Sequence, residues 1–218
     1  MKKYILLIFV AFLLSFADCY AVSSDGFVMN VILDDKPVNE IVGNEVAIPF
    51  NSEYKLRLKN NNTRGSTVRI TIDGVAISML GDLILRANEE IDLERFIDQS
   101  LEEGKRFKFV PLDNPEVDDP SRKENGEIVA EFRMEKEETI YIGPAPFSGW
   151  EYYENNIMLL NSTTLDVSTV STLCSADVQP GATIGGSQST QRFYKAVIDV
   201  EDRIYKLTLK IVGLHFCP

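Results

Sequence analysis

Thirty-three carboxylates, a single histidine and three cysteines set the chemistry open to this sequence. Acids outnumber every other reactive type, so cation binding and acid–base work come first. Asp113, Glu116, Asp118 and Asp119 fall close together, and Ca²⁺ takes several oxygen ligands of this kind. Their spacing departs from the EF-hand loop, which needs Gly at its sixth position and Glu at its twelfth. A solvated acidic loop is therefore the preferred reading of these four, with a calcium site beside it. A pair of facing carboxylates would suit glycoside hydrolysis, but no spacing here singles out a pair. Trp150, Tyr152 and Tyr153 alternate with Glu151 and Glu154 in the next group. Aromatic rings stack on sugars and carboxylates bind hydroxyls, so this is a candidate ligand platform. Core packing with a charged rim is the competing reading.

Nucleophilic catalysis is poorly served. The lone His215 lies two residues from Cys217, and a hydrolase triad or a His-based zinc site has little else to draw on. The Ser- and Thr-rich run 162–172 contains no Gly-x-Ser-x-Gly elbow. Gly181-Ala182-Thr183-Ile184-Gly185-Gly186-Ser187 lacks the Lys of a phosphate-binding loop and any helix after it. It reads as a flexible turn ahead of a strand near Gln191. No catalytic residue, cofactor or metal is assigned.

Cysteine usage is tied to the N-terminus. Met1-Lys2-Lys3 is basic, Tyr4 to Leu14 is apolar, and Ala17-Asp18-Cys19-Tyr20-Ala21 supplies small residues for cleavage. This is the layout of a secretory leader over residues 1–21, and its apolar run is short for a membrane span of roughly 20 residues. Asp18 in front of Cys19 argues against a lipobox. Cleavage after Ala21 removes two Lys and one Asp, leaving 20 basic and 32 acidic residues and a net charge of −12. It also leaves an even pair, Cys174 and Cys217, in an oxidising compartment. One disulfide is preferred over a redox or metal pair, because neither Cys has CxxC spacing. Asn61-Asn62-Thr63 and Asn161-Ser162-Thr163 match glycosylation sequons, a pattern that arises often by chance.

These residues need a scaffold, and composition says which kind. With 44% apolar and 25% charged residues, the 218-residue chain is globular. A formal charge of −11 argues against nucleic acid, whose binding requires Lys and Arg on phosphates, and against anionic membrane surfaces. Period-two alternation dominates. Glu53 to Lys59 and Thr67 to Ile72 each place apolar side chains on one face, as antiparallel strands do. Asp73-Gly74 between Ile72 and Val75 is a hairpin signal. Further strands are expected at Phe27–Leu33, Val46–Pro49, Leu83–Arg86, Arg106–Val110, Ile128–Arg133 and Thr139–Ile142. Residues 91–103 fit either a short helix or a strand followed by a turn. The Pro- and acid-rich stretch 111–126 is a loop within one body or a linker between residues 22–110 and 127–218. At the C-terminal end, Tyr194 to Val200 and Tyr205 to Ile211 alternate about Glu201-Asp202-Arg203, which predicts a hairpin. The fold expected is mainly β, an antiparallel sandwich or jelly-roll-like body.

Several stretches also share a rhythm: Val68-Arg69-Ile70-Thr71-Ile72-Asp73-Gly74, then Leu93-Glu94-Arg95-Phe96, then Arg106-Phe107-Lys108-Phe109. With Gly181 to Phe193, this resembles a loosely defined group of β-sandwich proteins met in bacteria, phages and large DNA viruses. The resemblance covers about a third of the chain and brings no catalytic residues. The local physics agrees with a structural role: Leu93 and Phe96 can anchor a corner, Phe107 and Phe109 would fill the core, and Glu94 and Arg95 remain available for surface pairing. The expectation is an exported, non-enzymatic protein of the periplasm, cell surface or exterior. It would meet a protein or glycan partner, or further copies of itself, with no stable membrane span once the leader is gone. A carbohydrate-binding or carboxylate-dependent carbohydrate-active protein is the alternative.

Overall fold

Between Glu53 and Asn60 every second side chain is buried, and the same period recurs from Glu127 to Phe132. The computed structural model describes residues 22–41, 43–98, 100–137, 156–159 and 177–215. Among them there is no helix, and fifteen strands form one hydrogen-bonded network. In chain order these are β1 (Val22–Ser24), β2 (Phe27–Leu33), β3 (Lys36–Pro37), β4 (Glu45–Pro49) and β5 (Glu53–Asn60). Then come β6 (Ser66–Ile72), β7 (Val75–Ala76), β8 (Asp82–Leu85), β9 (Glu90–Leu93) and β10 (Gly104–Pro111). The remainder are β11 (Glu127–Met134), β12 (Asn156–Leu159), β13 (Asp177–Ser189), β14 (Phe193–Lys195) and β15 (Tyr205–His215). Beginning from one edge, the order is β1-β2-β5-β10-β13-β15-β11-β6-β8-β12-β14.

The path folds back on itself through its two longest strands. β13 pairs with β15 from Asp177 to Pro180 and with β10 from Gly181 onward. β2, β5, β9 and β10 therefore face β15, β11, β6 and β8 across a shared core. Phe27 of β2 stacks on Phe132 of β11 with centroids 4.2 Å apart. Leu56, Leu58, Leu93, Phe107 and Phe109 pack from one side, and Val68, Ile70, Ile128, Leu207 and Leu209 from the other. This is the sandwich arrangement that inward alternation demands. Two pairings are parallel, β4 with β15 and β12 with β8. Strands from both sides of residues 111–126 interleave in the sheet order.

Turn chemistry explains where strands reverse. Every non-glycine residue with positive φ among those described is Asp or Asn: Asp25, Asp34, Asp35, Asn44, Asn51, Asp73 and Asn88. Their short polar side chains tolerate the left-handed region best. Asp73 and Gly74, at φ 52° and 76°, make the predicted two-residue turn, with Ile72 opposite Val75. Asp25-Gly26 repeats the device between β1 and β2.

One open alternative is decided and two expectations are corrected. Residues 91–103 contain no described helix: β9 pairs with β5, and Arg95 and Ile97 form further bridges. The side chains of Ile91, Leu93, Arg95 and Ile97 alternate inward, a period of two that helical spacing does not give. The C-terminal hairpin does not form. β15 pairs with β11, while the Lys136 amide donates to the Asp199 carbonyl and the Glu201 amide to the Met134 carbonyl at the end of β11. The alternation is real, but its partners are remote in sequence. Third, Gly181 to Ser187 is not a turn but the middle of β13. Gly181 is there because an added Cβ would strike the Phe109 ring and the Val110 carbonyl. The expected strand Thr139–Ile142 lies outside the described residues.

Candidate functional site

A buried polar node forms around Asp73, at the β6–β7 turn. The residue is buried, with a relative exposure of 7%. One carboxylate oxygen accepts the Gly126 amide and the other the Thr183 amide, both at 2.6 Å. Asp73 thus ties the hairpin to the start of β11 and to β13. Burial pushes its carboxyl up to about 6, against the two amide bonds and the charge of Arg122. Arg122 also donates to the Asp73 carbonyl at 3.0 Å. Beside this node the Tyr54 hydroxyl meets the Thr183 hydroxyl at 2.9 Å, and burial drives the phenol far above its usual range.

A groove of about 420 Å³ opens next to the node. Ile72, Phe96, Val117 and Ile184 contribute apolar surface, and Val75 stands on its rim with 55% exposure. Asp98, Glu116, Asp118 and Asp119 supply acids, against Lys105 and Arg122.

A second polar group lies across β5, β10 and β13. Glu53 accepts the Ser187 amide at 2.5 Å and its hydroxyl at 2.8 Å. Burial acts upward on Glu53, but these bonds with the charges of Arg106 and Lys108 hold it below the usual range. Glu94 accepts from Ser189 at 2.5 Å and from Arg106 at 3.3 Å. Arg57 clamps Asp92 with two bonds of 2.7 and 2.8 Å, directly opposite it in the β5–β9 ladder. A general acid needs a carboxyl held protonated near neutrality beside a second acid. Glu53 is held ionised, and Arg106 reaches both it and Glu94.

Arg95 corrects the expectation of surface pairing, because it is fully buried. Its guanidinium donates to the carbonyls of Gln191 at 2.8 Å, Phe96 at 2.9 Å and Ser100 at 3.2 Å. It lies over the Phe193 ring at 4.6 Å, and its Nη2 is a buried donor without a bond. Burial lowers its proton affinity, while Glu94, Asp98 and Glu103 act the other way. Sequence reasoning missed it because the charged residue sits on the inward parity of an otherwise apolar alternation.

The sequence candidates divide as follows. Trp150, Glu151, Tyr152, Tyr153 and Glu154 lie outside the described residues, as do Cys174 and Cys217. Asp113, Glu116, Asp118 and Asp119 are placed in the 111–126 loop. Asp119 accepts the amide and hydroxyl of Ser121, and Asp118 pairs with Arg122 at 3.3 Å. No three His, Cys, Asp or Glu among the described residues gather as a metal site. Among the described residues no helix is long and apolar enough to cross a membrane. Comparison with family models, with curated proteins and with solved structures finds no match to the chain.

Proposed function

We propose that this chain is an exported, non-enzymatic β-sandwich protein that acts by contact, as a structural, adhesive or assembly component at the cell envelope or surface. The carrying observation is how its inner acids are used. Asp73, Glu53, Asp92 and Glu94 each accept from a donor on another strand or loop, so they join strands rather than face one another across a reaction site. The leader-like residues 1–21 support export, and the resemblance to sandwich proteins without catalytic residues supports a contact role. The test is an activity screen of the purified chain on polysaccharides, esters and peptides. No turnover is expected above a heat-treated control. Reproducible turnover of any of these substrates sinks the reading.

A further inference from the structure

The groove beside Asp73 runs along a strand edge whose hydrogen bonds can be assigned. Phe107 and Phe109 of β10 direct their amides to the carbonyls of Glu94 and Ser52, away from β13. Their partners in the β10–β13 register, Gly185 and Thr183, are therefore in non-hydrogen-bonded positions, and their backbone groups point to the opposite edge of β13. The Thr183 amide confirms this direction by donating to Asp73. Among the described residues no strand pairs with that edge from Thr183 to Gly185. It presents the Thr183 carbonyl and both backbone groups of the exposed Gly185 to the groove.

The walls set the occupant's chemistry. Apolar surface from Ile72, Val75 and Val117 suits alternate apolar side chains. Four rim carboxylates, Asp98, Glu116, Asp118 and Asp119, face two cations, and one of these, Arg122, is already bonded to Asp118 and to the Asp73 carbonyl. The excess is negative. A second copy of a chain with net charge −11 is repelled by such a rim. A positively charged segment is attracted, and charge complementarity of this kind sets both partner choice and association rate. An added strand also uses main-chain bonds for affinity and alternate side chains for selection.

We propose that this groove receives an extended cationic segment of a partner protein, alternating Lys or Arg with apolar residues, which adds as a strand to β13 at Thr183–Gly185. The proposal rests on the contact reading and names its partner. The experiment is fluorescence anisotropy of the purified full chain with a labelled nonapeptide of alternating Lys and Val. Three controls accompany it: a Glu/Val peptide, a Lys/Val peptide N-methylated at alternate amides, and the D98N/E116Q variant. Expected are saturable binding that weakens with added salt, at least a tenfold loss on N-methylation, at least a tenfold loss in the variant, and weaker binding of the Glu/Val peptide. The circular dichroism of the variant should match the parent, since neither side chain accepts a hydrogen bond that joins strands. Absence of binding at millimolar peptide overturns the proposal. So does equal binding of the Glu/Val peptide, or indifference to either N-methylation or the double substitution. A failed titration leaves the contact reading standing, whereas turnover in the activity screen sinks that reading and leaves the titration valid.

Discussion

Asp73 combines three demands on one side chain: a positive φ, burial, and two amide donors from distant parts of the chain. Its folded carboxyl titrates at about 6, above the ordinary 3.8, with burial as the largest cause. Between those values the native protein holds a proton that the unfolded chain has released. This group's contribution to stability is therefore complete below about pH 4 and is lost as pH rises through about 6, an effect of about 3 kcal/mol for a shift of this size. Urea denaturation of the parent and of D73N at pH 7 and pH 5 should show the parent gaining on the variant as pH falls. A gap that narrows on acidification contradicts the assignment. Arg95 makes the complementary prediction. R95M removes three donated bonds to half-buried carbonyls along with a buried charge, and should cost about 2–4 kcal/mol. R95K cannot reach three carbonyls at once and should recover only part of the loss. A neutral R95M in the same denaturation series would mean that the three bonds merely offset the burial of the charge.

Strands were the easy part of the reading, because local alternation reports directly on a half-buried strand. The Glu53–Lys59 and Thr67–Ile72 segments read correctly from period two, and the expected Phe27–Leu33 strand is present but buried on both faces. Pairing was harder. Tyr205–Ile211 has the right alternation, but its neighbours are β11 and β4 rather than the segment just before it. Nothing local distinguishes these choices, since a strand's pattern fixes which face is buried and not which edge it joins. The site was less legible for the same reason. Asp73 read as a turn residue, and its amide partners lie 53 and 110 positions away. Gly213 tests the pairing of β15 with β4. An added Cβ there falls inside contact distance of the Phe50 ring, which in turn stacks 5.5 Å from Phe109. G213A should therefore cost about 1–3 kcal/mol as an overpacking change. In an F50A background the same substitution should cost much less, and a double-mutant cycle of thermal midpoints reads the difference. Additive costs would place the clash elsewhere.

At the scale of the molecule, the register between β13 and β15 bears on the two cysteines expected to remain after leader removal. The ladder pairs Asp177 with His215. Cys174 precedes that pair by three residues and Cys217 follows it by two. At no more than about 3.6 Å per residue, both cysteines are a short length of chain from that ladder pair. Two thiols so placed along the sequence would meet readily in an oxidising compartment. A Cys174–Cys217 disulfide closes a loop long enough to stabilise by roughly 4 kcal/mol in the chain-entropy model, because it restricts the unfolded chain. The protein recovered from an oxidising compartment and denatured without reductant should then resist alkylation at Cys174 and Cys217 and take up two labels after reduction. Its thermal midpoint should fall on reduction, and C174S/C217S should reproduce the reduced value. Full labelling before reduction would instead place these thiols free, and the contact role would then have to rest on the sandwich alone.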